Sequence, residues 1–128
     1  MKKLHRIMHV EDEPDIQTIV KIALEEMGGF DLHICSSGKE ALAEAVDFLP
    51  DLFLLDVMMP EMNGPDTLKA LKKIPSLKNI PFMFMTAKVQ EEEIEELKNL
   101  GALDVISKPF NPVTLADDIR TIWGKKHR

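Results

Sequence analysis

With 128 residues, 45% hydrophobic and 30% charged, the chain has the size and balance of one globular domain, which argues against a disordered, fibrous or two-domain protein. Sixteen Lys and Arg against 22 Asp and Glu leave a formal charge of -6, without the basic footprint of direct nucleic-acid binding. The one cysteine, Cys35, closes no intrachain disulfide. The first strand is read through Ile7, Met8 and Val10, and its apolar run meets Glu11, Asp12 and Glu13 too soon for a signal peptide. Pro14 opens a first helix with an apolar stripe of Ile16, Ile19, Val20, Ala23 and Met27, stopped by Gly28 and Gly29. Phe30, Leu32 and Ile34 alternate with polar residues, as in an edge strand. Ser37 and Glu40 form a capping box ahead of Ala41, Leu42, Ala45 and Val46. Leu52 to Leu55 is apolar throughout, like a central parallel strand covered on both faces.

A third helix starts after Gly64 and carries Leu68 and Leu71, and Pro75 and Pro81 bracket the loop before a second buried strand, Phe82 to Met85. The fourth helix spans about Glu91 to Leu100, turns Ile94, Leu97 and Leu100 inward, and ends at Gly101. Val105 and Ile106 make a short fifth strand. Asn111 as cap and Pro112 as first residue open the last helix, with Leu115, Ile119 and Ile122 inward. Strands alternating with helices predict an α/β fold with a mostly parallel sheet covered by helices. One domain, residues 1–128 with a core of about 4–123, accounts for the whole pattern. No stretch approaches a transmembrane length, so no membrane insertion and a reducing, cytoplasmic location are expected.

The chemistry collects at the strand ends. The first strand runs into Glu11 and Asp12, the third into Asp56, the fourth into Thr86 and the fifth into Lys108. In an open α/β sheet the C-terminal strand ends converge on one crevice, where ligands bind. Three carboxylates drawn together raise one another's pKa unless a cation sits among them. With no thiolate or paired histidines in the set, a hard ion is implied, and Mg2+ suits a few carboxylates and several waters. Asp56, at the end of a buried strand, is then a candidate carboxylate nucleophile that forms an aspartyl phosphate. The Lys108 ammonium is placed to neutralise phosphoryl charge and the Thr86 hydroxyl to hydrogen-bond a phosphoryl oxygen. Neither G-x-x-x-x-G-K-[ST] nor G-x-G-x-x-G occurs, so the phosphoryl donor is expected to be another molecule.

Val-Glu-Asp-Glu-Pro (Val10 to Pro14), Leu-Leu-Asp-Val-Met-Met-Pro (Leu54 to Pro60) with Gly64, Met-Thr-Ala (Met85 to Ala87) and Ser-Lys-Pro-Phe (Ser107 to Phe110) occur in order across the chain. Together they resemble the response-regulator receiver domain of two-component signalling, of the stand-alone chemotaxis-regulator type. That resemblance implies a flavodoxin-like, doubly wound sheet of order 2-1-3-4-5 with five helices. It also implies phosphorylation of Asp56 by a histidine kinase or histidine phosphotransfer protein. Asp12, Asp56 and the backbone carbonyl of Met58 would ligate Mg2+, Glu11 would act through water, and Thr86 and Lys108 would contact the phosphoryl group. The Lys108–Pro109 bond would be cis. A downstream protein effector would dock on the fourth helix, fifth strand and fifth helix. Such a domain is no enzyme in the ordinary sense and catalyses only its own phosphorylation and dephosphorylation.

Two departures stand out. Glu11 replaces the more usual Asp of the acidic pair, and Val105 stands where the family often has a Tyr or Phe that turns inward on activation. Readout is then expected from Thr86 and the loop before the fourth helix, with Met58 and Lys88 tuning the lifetime of the aspartyl phosphate. A phosphatase or dehalogenase with an aspartyl intermediate would carry a second Asp where Met58 stands. A flavin carrier on this sheet would find its phosphate repelled by Glu11, Asp12 and Glu13. A receiver-like interaction module that is never phosphorylated is the remaining alternative. Outside the crevice, His5, His9, His33 and His127 read as surface or strand histidines, Cys35 as an inert half-buried thiol, and Met58, Met59 and Met62 as loop packing. Glu91, Glu92, Glu93, Glu95 and Glu96 read as a solvated acidic helix face.

Overall fold

In the computed structural model, residues 3–87 and 90–126 are described. Five parallel strands, β1 (Arg6–Val10), β2 (Asp31–Cys35), β3 (Leu52–Asp56), β4 (Phe82–Thr86) and β5 (Val105–Ser107), form one sheet of order β2-β1-β3-β4-β5. This is the flavodoxin-like doubly wound order, with β2 and β5 at the edges. Helix α1 (Pro14–Val20) runs on in a wider π-type coil (Lys21–Met27), followed by α2 (Gly38–Phe48), α3 (Gly64–Lys72), α4 (Glu91–Asn99) and α5 (Leu115–Lys126).

Strand parity divides the interior into two cores. Ile7, Leu52, Leu54, Met83 and Met85 pack with Val20, Ala23, Leu24, Leu115 and Ile119 of the first and last helices. Met8, Val10, Phe53, Leu55 and Phe84 pack on the other face with Ala41, Ala45, Leu68, Leu71 and Leu97. Every residue of β3 and β4 is buried, as their uninterrupted apolar runs require of central parallel strands. Each fully buried Leu or Phe contributes roughly 1.5–3 kcal/mol, and both faces of the sheet draw on that term.

Several expectations need correction. The stripe of the first helix follows a 3.6-residue period, but the coil widens after Val20, so Leu24 joins Ala23 in the core while Met27 is 55% exposed; Ile19, ahead of the widening, is 37% exposed. Gly29 ends this coil at φ +76, a left-handed conformation that glycine adopts without a Cβ penalty, and Phe30 N–H returns to the Leu24 carbonyl at 2.9 Å. Val46 is exposed on α2. The Asn111 side chain does accept an N–H, from Val113 at 2.9 Å, yet this closes a turn and α5 begins only at Leu115. The N-cap half of the expected capping box is present, with Ser37 Oγ accepting from Glu40 N at 3.1 Å. No helix among the described residues is long and apolar enough to cross a membrane.

At the end of the sheet away from the strand C-termini, Asp51 joins the start of β1 to the start of β3. Its carboxylate accepts N–H groups of His5 at 3.0 Å and Arg6 at 2.8 Å, and its own N–H donates to the Arg6 carbonyl at 2.8 Å.

Candidate functional site

The opposite rim gathers the strand ends. Asp56 is the last residue of β3 and Thr86 the last of β4, each 2% exposed. Glu11, directly after β1, is fully buried, Asp12 beside it is half-buried, and Lys108 follows β5. Carboxylate oxygens of Glu11, Asp12 and Asp56 lie within 4.8 Å of one another. The Lys108 ammonium reaches Asp56 Oδ1 at 2.8 Å and Glu11 Oε1 at 3.0 Å, with its side chain 12% exposed. A cis peptide bond joins Lys108 to Pro109. Met58 lies two residues beyond Asp56 with its side chain 58% exposed, so it does not pack beneath the site, whereas Met59 does lie in the core. Lys88 and His127 lie outside the described residues.

Burial dominates the electrostatics. It pushes the Glu11 carboxyl up to about 7, helped by the nearby Asp56 charge and opposed by the Lys108 hydrogen bond. Burial works against the Lys108 ammonium as well, but its hydrogen bonds to Asp56 and Glu11 outweigh that effect and its pKa is raised. Among the described residues, the Lys108 ammonium pairs with two of three clustered acids, a charge imbalance that a second cation would relieve. Asp12 Oδ1 is buried without a hydrogen-bond partner, a costly state for a carboxylate oxygen unless something binds it. An orphaned oxygen in an all-oxygen donor set fits a hard divalent ion such as Mg2+.

Sequence reasoning missed Gln17 and read His9 only as a surface or strand histidine. Gln17 Nε2 donates to the Glu11 carbonyl at 2.5 Å and to Ser36 Oγ at 3.3 Å, tying the acidic loop to the first helix. His9 is fully buried, both of its ring nitrogens lack partners, and burial followed by the Lys108 charge lowers its pKa to about 3. The position of β1 inside the sheet is the signal that would have placed His9 in the core. Gly64 packs so closely on the loop after β3 that a Cβ there would meet the Asp56 carbonyl oxygen at 2.5 Å. Thr86 lies on the parity of Phe84, facing α4, and borders a cleft of about 370 Å³ with Val57, Pro65, Glu93, Glu96 and Leu97. Val105 is half-buried, paired with Phe84.

Comparison with known proteins bears on this rim. A family model described as the response regulator receiver domain matches residues 7–120. The transcriptional regulatory protein CpxR of Escherichia coli (strain K12) is 38% identical over 124 residues, 97% of this chain and 51% of that protein. The response regulator SaeR of Staphylococcus aureus (strain USA300) is 39% identical over 106 residues, 83% of this chain and 45% of that protein. The chain thus spans about half the length of the curated relatives it matches. Among solved structures, chemotaxis protein CheY4 of Vibrio cholerae superposes with a TM-score of 0.84 at 30% identity, covering 94% of this chain and 99% of that chain.

Proposed function

Because the chain belongs to the response regulator receiver domain family, we propose that it is a phospho-accepting switch in which Asp56 takes a phosphoryl group from a histidine kinase or histidine phosphotransfer protein. The observation that carries this reading is the buried Asp56 carboxylate, held by Lys108 at 2.8 Å beside two further acids within 4.8 Å. One carboxylate oxygen attacks phosphorus, the O–P bond forms as the N–P bond to the donor imidazole breaks, and the electron pair leaves with the imidazole nitrogen. Asp12, Asp56 and the Met58 backbone carbonyl would hold Mg2+ directly and Glu11 through water. When bound, the ion supplies charge neutralisation for the transferring group, which accounts for most of what phosphoryl transfer needs.

Lys108 keeps its ammonium against Asp56 and offers it to phosphoryl oxygens once the carboxylate is esterified. Thr86 supplies a hydroxyl donor to the same group. In drawing towards it, Thr86 alters the wall of the cleft that it shares with Glu93, Glu96 and Leu97 of α4. Val105 has no ring to swing, so this movement carries the signal to an effector docking on α4, β5 and α5. The chain turns over no other substrate.

Intact mass after incubation with acetyl phosphate tests the reading. One phosphoryl adduct is expected with Mg2+, none with EDTA, and none in Asp56→Asn. If no adduct forms with any donor, and a beryllofluoride mimic leaves the rim unperturbed, the receiver-like module that is never phosphorylated takes its place.

A further inference from the structure

A second group of metal-ligating side chains lies away from the rim, on the edge strand. We propose that His33, Cys35 and Glu44 form a metal site for a borderline divalent ion of the Zn2+ class. Their ligand atoms lie within 4.8 Å of one another. His33 and Cys35 are two residues apart on β2 and so share a sheet face, the one that Ala41 and Ala45 of α2 cover. Glu44 comes from the flank of that helix, with its Oε1 bonded to His33 Nε2. The imidazole is held in place by stacking on Phe48, with ring centroids 5.1 Å apart, and Phe48 lies one helical turn beyond Glu44 on the same face.

The donor chemistry selects the ion. Imidazole nitrogen, thiolate sulfur and one carboxylate oxygen are the ligands of tetrahedral Zn2+, whereas Mg2+ takes oxygens. The acidic rim and this trio therefore sort two classes of cation. Access is open, since His33 and Glu44 side chains are 37% and 40% exposed and border a cleft of about 340 Å³ with Asp47 and Phe48. Cys35 does not line this cleft; it lies behind it at the end of β2, fully buried in the core under α2. Water from the cleft would complete the four ligands. Burial, with the charges of Glu44 and Glu40, pushes the Cys35 thiol up to about 12; a divalent ion offsets those charges. As the sulfur–metal bond forms, the thiol proton passes to the buffer, so binding weakens as pH falls.

Co2+ is the probe, because its thiolate complexes absorb in the near ultraviolet. The full chain is titrated with Co2+ in excess Mg2+, which occupies the acidic rim, and with a non-thiol reductant. One equivalent is expected to bind with a thiolate-to-cobalt band that Zn2+ removes and Cys35→Ser lacks. Losing an outer-shell partner weakens a metal site 10–100-fold, so loss of a ligand in His33→Gln or Glu44→Gln should weaken Co2+ binding by about 100-fold or more. These two half-exposed positions keep the test valid if Cys35→Ser fails to fold. No band at saturating Co2+, or a band whose affinity is unmoved in both His33→Gln and Glu44→Gln, overturns the proposal. Neither result bears on phosphorylation at Asp56.

Discussion

Replacing Lys108 by methionine removes an ammonium that Glu11 and Asp56 share at 3.0 and 2.8 Å. At an effective dielectric of about 20, two carboxylates 4.8 Å apart repel by about 3.5 kcal/mol, and the acids of this rim lie at that separation or closer. Removing one partner of a buried ion pair costs about 3–5 kcal/mol. Glu11 provides an escape, since burial already raises its pKa to about 7, and losing Lys108 raises it further. A raised carboxyl pKa gives stability that is complete below the unfolded value near 4.5 and lost as pH rises through the folded value. The variant therefore takes up a proton on Glu11 near neutrality and limits its loss.

A net destabilisation of about 2–4 kcal/mol at pH 8 is expected for Lys108→Met, which for a domain of this size lowers Tm by roughly 6–20 °C. The deficit should shrink at pH 6 and in Mg2+, which should stabilise the variant more than the wild type. Thermal melts by circular dichroism at both pH values, with Mg2+ or EDTA, supply the four comparisons. A variant that melts within about 2 °C of wild type at pH 8 in EDTA, with no added response to Mg2+, refutes the charge balance argued here.

Gly64→Ala drives a Cβ onto the Asp56 carbonyl oxygen at 2.5 Å; backbone cannot yield cheaply, so about 1–3 kcal/mol should be lost on denaturant titration and adduct formation from acetyl phosphate should slow. His9 stays neutral in the fold down to about pH 3 while the unfolded imidazole titrates near 6.5. Its contribution is complete above 6.5 and lost as pH falls towards 3. Between pH 7 and 5 the wild type should therefore lose about 2 kcal/mol more than His9→Leu, and parallel stability curves would dismiss the idea. Ser37→Ala deletes the acceptor of the Glu40 N–H and should cost about 1 kcal/mol of stability without changing the yield of the Asp56 adduct.

Much of this was legible because it depends on period and position. Leu52 to Leu55 and Phe82 to Met85 read as central strands because burial on both faces demands uninterrupted apolar residues, and Asp56 and Thr86 then fell at strand ends on one rim. Met27 falls outside the core because a 3.6-residue stripe carries no mark of a coil that widens at Lys21. The Asn111 cap was read correctly as chemistry and wrongly as a helix start, since the same side-chain acceptor closes a turn. His9, read as a surface or strand histidine, is fully buried on its strand; a polar residue in an apolar strand gives no sign of that depth until its neighbours on both sides are known. Gln17 acts through a carbonyl, which leaves no pattern in the chain.

The Asp51 bridge gives the sheet a mechanical asymmetry. β1 and β3 are joined at their beginnings by three hydrogen bonds at Asp51, two accepted and one donated, while their far tips carry like charges bridged by Lys108. Beyond that grip a parallel ladder from Ile7–Leu52 to Val10–Leu55 keeps the two strands paired along their length. A change in charge at the tips, such as the proposed metal or phosphoryl group would bring, therefore falls on chain beyond the ladder, so conformational response should be confined to the loops beyond Val10 and Asp56 rather than spread through the whole sheet.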